Sequence, residues 1–319
     1  MATIKIPDAL KADVPQSNWG KVLAATPVIM AVIATLLAGL ASSEMTRAQY
    51  DRSLAAQEQN KASDEWNFFQ GKRLRGAFQV NTLDLLQQIT AVPPLDSQAL
   101  ATAAQNAGLA PEARAALSNL LDSPAGRQVL GALQKGELPP PPPVVTLNAG
   151  LQAAIDSLET ARPETEIARL ASQVNPQAIT DALAAAAEEG RKFDAALKPI
   201  NTQVDRLNDL ISGAPGLGPP RQAFAAARLR FTAARYEAEA RLNQTVGYLY
   251  ELQVRQSNES ADHHHARSQR FFFGMLGAQA AVIIATLAMA SRQRNLLWSL
   301  AALAGLVAVA LAVYVYFCF

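Results

Sequence analysis

Three unbroken apolar stretches decide what this chain can become: WGKVLAATPVIMAVIATLLAGLA at 19–41, FFFGMLGAQAAVIIATLAMA at 271–290 and LLWSLAALAGLVAVALAVYVYFCF at 296–319. A helix needs about 20 apolar residues to cross the hydrocarbon core. Each stretch is that long, and none carries a charge past its first turn. Three transmembrane helices follow. A cleaved leader is the competing reading of the first stretch, but it lacks a convincing cleavage site and its apolar block outruns a leader's. A helix starting at Pro27 would be too short to span, so Pro27 is expected inside the helix, as a kink.

The flanks fit bilayer boundaries. Trp19 and Trp298 are expected at one membrane face, and Tyr314, Tyr316 and Phe271, Phe272, Phe273 at the other. Small residues recur every four positions, at Gly277, Ala281 and Ala285 on the second span and at Ala304, Ala308 and Ala312 on the third. Such rows let membrane helices approach closely. Lys5, Lys11, Lys21, Arg292 and Arg294 lie on the short elements. The positive-inside rule then places the N-terminus and the 291–295 loop in the cytoplasm and the large segment outside, in the periplasm of a bacterial inner membrane. Arg47, Arg52, Arg267 and Arg270, beside the large segment, pull the other way.

Between the spans no stretch alternates with period two, and Ala, Leu, Gln, Glu and Arg dominate. The fold class is therefore all-α. The expected organisation is a polar tail at 1–18, a span at 19–41, a long outgoing helix at 42–92, an inserted region at 93–220, a returning helix at 221–270, a span at 271–290, a basic loop at 291–295 and a span at 296–319. The proline-free run 221–290 allows a rod of roughly 100 Å at 1.5 Å per residue. On it Phe224, Phe231, Ala238, Thr245 and Leu252 recur every seven residues, with Leu242 and Leu249 between them. Arg228 and Arg235 interrupt that seam, which reads as helix-hairpin packing rather than a clean coiled coil. The insertion is punctuated by VPPL, ELPPPPPV and GAPGLGPP. Pro139 to Pro143 predict a polyproline II spacer. Short helices are expected at 97–105, 111–121, 124–135, 147–160, 163–173 and 176–211, the last broken near Pro199.

Net charge is +1, so no basic field calls for nucleic acid. The single cysteine, Cys318, excludes an intrachain disulfide and a Cys-based zinc site. No phosphate-binding loop and no dinucleotide-binding glycine pattern occurs, and no small-molecule substrate is evident. The expectation is no catalytic residue, no cofactor and no metal.

Two clusters remain. His263, His264 and His265 follow one another and precede Arg267 and Arg270. Adjacent residues on a helix stand about 100° apart, so the three cannot converge on one ion. They read as a polar collar at the lipid boundary, with pH sensing or a metal shared between chains as alternatives. Glu259 stands at i, i+4 spacing to His263. The second cluster, EWNFFQGKRLRGAF, holds Trp66, Phe69, Gln70, Lys72 and Arg75. It is either a partner-binding patch or a packing stripe with solvated cations.

Both clusters resemble an uncharacterised bacterial family of three-helix membrane proteins, a domain of unknown function. There a Trp, an aromatic-Gln pair, a Lys and a basic residue follow the first span, matched here by Trp66, Phe69, Gln70, Lys72 and Arg75. A His-rich run precedes a membrane hairpin with a basic loop and a Trp, matched by His264, His265, Arg292, Arg294 and Trp298. The resemblance covers about 19–88 and 221–319, makes 93–220 look like an insertion, and opposes an added histidine tag. Phe69 stands where Tyr is more usual.

The expected function is a non-enzymatic, membrane-anchored scaffold or assembly subunit of an envelope complex, self-associating or joining other membrane subunits. The alternative is a transport or energy-coupling subunit, whose one-helix, domain, hairpin layout this chain shares. Against it, the spans hold no ionisable residue at mid-depth, only Thr35, Thr286 and Ser299. A histidine-based sensor ranks third.

Overall fold

The computed structural model describes residues 18–106, 110–138, 142–213, 215–291 and 294–318, with side chains omitted at 18–23, 215, 290, 294 and 318. Expectations for the side chains of Trp19, Lys21 and Arg294, for Lys5, Lys11 and Arg292, and for Pro139 to Pro141 fall outside the described residues. Among those described, nine α-helices and a short 3-10 turn occur and no strand. They are α1 (Asn18–Ile89), α2 (Ser97–Asn106), α3 (Pro111–Asp122), α4 (Pro124–Lys135), α5 (Ala149–Glu159), α6 (Glu164–Gln173), α7 (Pro176–Ser212), α8 (Gly218–Ala290) and α9 (Arg294–Cys318). Helices α1, α8 and α9 each hold an apolar window long enough to span a bilayer, with mean hydropathies of 2.1, 2.0 and 2.5. The chain is all-α with three such helices, as a multi-pass membrane protein requires. Pro27 lies inside α1 rather than at its start.

Two compact units partition the chain, residues 1–55 with 257–319 and residues 56–256. The second unit holds residues 56–92 and 221–256 of the two long-helix segments together with the inserted region, and the first holds 42–55 and 257–270 with the spans.

In the first unit small residues set the packing. A Cβ on Gly277 would stand 3.5 Å from Ala308 Cβ and 3.9 Å from Ala304 O. Ala281, Ala285 and Ala308 are fully buried. The expected small-residue rows of α8 and α9 therefore meet, with Ala304 and Ala312 only partly covered. Leu37 and Ala41 of α1 close on Phe271 of α8 and Val315 of α9. Outward faces carry Val28, Val32, Leu36, Ile283, Leu303 and Leu306, the surface hydrocarbon demands. Two expected belt residues are instead packing residues. Phe271 is 1% exposed, because its position faces α1 and α9, while Phe272 and Phe273 stay exposed. Trp298, at 9%, packs on Ala285, Ala288 and Ala301.

The second unit is built on local helix signals. Ser123, Asn148 and Asn175 cap α4, α5 and α7, accepting from Gly126 N (2.9 Å), Leu151 N (2.8 Å) and Gln177 N (2.9 Å). Gly136 ends α4 in the left-handed conformation, φ 67°. Helix α7 runs unbroken through Pro199. Ile200 and Leu197 beside it are buried in the core, and that burial holds the helix together across the lost hydrogen bond.

The period-seven seam on α8 finds a different partner from the one expected. Phe224, Phe231 and Ala238 join Phe193, Leu197 and Val204 of α7 and Leu117 and Leu133 of α3 and α4 in one core, to which α1 contributes no buried residue. Leu249 and Leu252 continue the seam into a second core with α5, α6 and the start of α7. There Gln256 Nε2 donates to Ala171 O (2.9 Å) and Val174 O (2.7 Å), closing the end of α6.

Candidate functional site

A second period-seven row on α8 faces α1. It runs Ala240, Gly247, Val254, Ala261, Ser268, all buried. On α1 the matching row is Ala41, Ala48, Ala55 and Ala62, likewise buried. Small residues every seven positions let two helices approach closely, and charges beside such a seam must pair. Three polar clusters do so, one in the first unit and two in the second.

In the first unit Glu44 is buried, at 6% exposure. His264 Nδ1 lies 2.6 Å from its Oε2. Arg267 Nη1 and Arg47 Nη1 stand 3.6 and 3.7 Å from its Oε1. Ser268 Oγ donates to Ala41 O at 2.7 Å, and Arg52 and Ser260 meet Asp262 and Asp51 further along. So of the histidine run, His264 turns to α1. His265 Nε2 instead meets Gln269 on its own helix at 3.0 Å, and His263 stacks edgewise on His264 at 5.9 Å between centroids. Arg270 is partly buried. Beside the cluster lies a groove of about 630 Å³ lined by Ala38, Ser42, Met45, His265, Gln269 and Phe272, among others.

In the second unit Trp66 lies against Gly247, whose Cβ would stand 3.2 Å from the indole. Trp66 Nε1 donates to Glu251 Oε1 at 2.7 Å. Phe69 and Tyr248 meet its ring edgewise at 5.4 and 5.0 Å. Asn243 Nδ2 donates to Glu65 Oε2 at 2.6 Å. Burial pushes the Tyr248 and Tyr250 phenols up from their usual range, and for Tyr250 the nearby Glu65 and Glu58 carboxylates add to the shift.

One turn along, Lys72 and Arg235 both bind Glu239, Arg235 Nε at 3.4 Å from Oε1. The structure thus brings Trp66 and Lys72 of the second sequence cluster into inter-helix contacts, sets Phe69 against Trp66 on the same helix, and leaves Gln70 and Arg75 exposed. Arg73 lies over the Phe69 ring at 5.6 Å.

The opposite face of α1 carries Leu74, Phe78, Leu85 and Ile89, exposed by 72, 68, 58 and 81%. Gly71 precedes them with open space at its Cβ position. Sequence reasoning took the aromatic and basic residues at 66–75 as the patch and missed this stripe, whose spacing of four, seven and four was visible in it. It also missed Glu44, although Glu44 sits three residues past Ala41 on the period-seven face. The hydroxyls of Thr35, Thr286 and Ser299 donate to Ala31 O, Val282 O and Asn295 O, each four residues back. Among the described residues no three His, Cys, Asp or Glu side chains stand close enough to share an ion.

Residues 19–116 match the model of a family described as a domain of unknown function (DUF4337). The match takes in α1, α2 and the start of α3, and so includes Glu44, the Trp66 cluster and the exposed stripe. No curated protein and no solved structure matches the chain.

Proposed function

We propose that the protein is a membrane-anchored assembly subunit that associates with a second copy of itself through the outer face of α1. The stripe Leu74, Phe78, Leu85, Ile89 carries this reading, with more than half of each side chain open to solvent. Together they place roughly 400 Å² of apolar surface in one line, the scale at which a patch marks an interaction site. Copies held in one bilayer share an orientation. A seam between them is therefore parallel and two-fold, and each residue meets its own counterpart. Asn81, between Phe78 and Leu85 on that face, pairs with itself in such a seam and fixes its register. The membrane is a bacterial inner membrane, with the N-terminus cytoplasmic and the large segment periplasmic.

The test is disulfide crosslinking in native membranes, with Cys318 replaced by Ser and single cysteines placed at Phe78 or at Gln79. Crosslinking at 78 but not at 79 supports the seam. Equal or absent crosslinking at both, with a lone monomer by native mass spectrometry, removes it.

A second reading, an energy-coupling subunit, rests on the buried Glu44 with His264 beside the spans. Proton flux in proteoliposomes that Glu44→Gln abolishes would favour it over assembly alone.

A further inference from the structure

The two arginines that interrupt the α8 seam are not absorbed by assembly. Arg228 and Arg235 stand seven residues apart, so they share one face of α8. Together with Thr232 they line a cavity of about 230 Å³. Asn201 and Asp205, four apart on α7, and Gln79 of α1 complete its polar wall, and the buried Phe231 and Val204 form its apolar floor.

The polar groups in this cavity are poorly used by the protein itself. Arg235 is held by Glu239 and stacks on Tyr236 with its guanidinium carbon 4.9 Å from the ring. Arg228 is only partly exposed, yet among the described residues no carboxylate stands within ion-pair reach of it. Asp205 lines the same space, is exposed, and does not pair with it. A partly covered arginine without an intrachain ion-pair partner leaves its donors open to a ligand. Guanidinium geometry suits a carboxylate, which it can bind through two parallel N–H donors. Asn201, Gln79 and Thr232 add neutral donors of the kind that fix an orientation.

Charge and size narrow the class. Among the lining residues Arg228 and Arg235 stand against Asp205, leaving one positive charge. A space of about 230 Å³ suits a small ligand of a few non-hydrogen atoms. We propose that this cavity between α1, α7 and α8 is a binding site for a small, singly charged carboxylate, with Arg228 as its principal anchor and Asn201, Gln79 and Thr232 orienting it.

The experiment is equilibrium dialysis of the full chain in nanodiscs against radiolabelled acetate at fixed ionic strength, with inorganic phosphate as competitor. Saturable binding of one acetate per chain is expected. Arg228→Met should weaken it at least tenfold, Arg228→Lys less, and the exposed control Arg221→Gln should leave it unchanged. Absence of saturable binding to the unmodified protein overturns the proposal, as does a folded Arg228→Met chain that binds equally well. Phosphate displacing acetate at far lower concentration overturns the carboxylate assignment. If Arg228→Met does not fold, Asn201→Leu tests the same pocket and must weaken binding several-fold. Oligomeric state plays no part in this readout, so it stands or falls apart from the α1 seam.

Discussion

His264 Nδ1 and Glu44 Oε2 meet at 2.6 Å across α8 and α1, although 220 residues separate them. Glu44 is also the shared acceptor of Arg47 and Arg267. Removing its charge strands the partly buried Arg267, which costs more than the pair contributes, whereas Arg47 is exposed and loses little. Glu44→Gln should destabilise the first unit by about 2–4 kcal/mol. Thermal unfolding in nanodiscs measures this, and a melting temperature equal to the parent's would show the cluster to be inert.

Two glycines five residues apart in α4 should respond with opposite signs. A Cβ on Gly126 would lie 1.7 Å from Leu120 O, backbone that cannot move aside. Gly126→Ala should cost about 2–4 kcal/mol through forced displacement of the α3–α4 turn. Gly131 has nothing within 4 Å of its Cβ position. Gly131→Ala should stabilise by about 0.5–1 kcal/mol, the usual helix-interior gain. Denaturant midpoints of both variants check the pair.

At Gly247 close approach outweighs helix propensity. The Trp66 ring that a side chain would strike is fixed by Glu251 and Tyr248. Gly247→Val should lose about 1–3 kcal/mol. It should also expose the indole, read as a red shift in its fluorescence.

The exposed stripe predicts a change in assembly without a change in fold. Phe78→Glu combined with Leu85→Glu replaces two apolar side chains that are 68 and 58% exposed. The doubly substituted chain should melt within about 0.5 kcal/mol of the parent when both are monomeric and fail to self-associate. Analytical ultracentrifugation in detergent, alongside circular dichroism, separates the two effects.

Tyr248 and Tyr250 give the pH dependence. Their raised phenol values mean the folded chain holds its protons where the unfolded chain, near pH 10, has begun to lose them. Stability is therefore intact below about pH 10 and falls as pH rises through the folded-state values. Ultraviolet titration should show these two phenols ionising above the ordinary tyrosine range near pH 10. Tyr248→Phe should lessen the alkaline loss.

What was legible in the sequence was what each helix decides for itself. The three spans, the course of α1 up to the VPPL break and both ends of α4 follow from local apolar runs, caps and stop signals. Pro199 misled because its local penalty is offset by the burial of Leu197 and Ile200, which no local rule contains. Pairings were less legible. The seam through Phe224 and Phe231 was visible, but not that it faces α7 and the short helices while a quieter row of Ala, Gly and Ser faces α1. Large residues advertise a face and small ones do not, although the small ones permit the closer approach. For the same reason the histidine run was noticed and its acid was not, since three adjoining histidines draw attention and a single glutamate does not.

The wide chain separation of Glu44 and His264 also sets a schedule. The ribosome adds about 5–20 residues per second, so the first membrane helix waits roughly 10–45 s before His264 is made. During that interval the Ala41, Ala48 and Ala55 face has no partner and Glu44 must remain hydrated or guarded. Biogenesis of this protein therefore depends on whatever shelters a half-finished membrane anchor, and translation speed across 56–256 becomes a property on which selection can act.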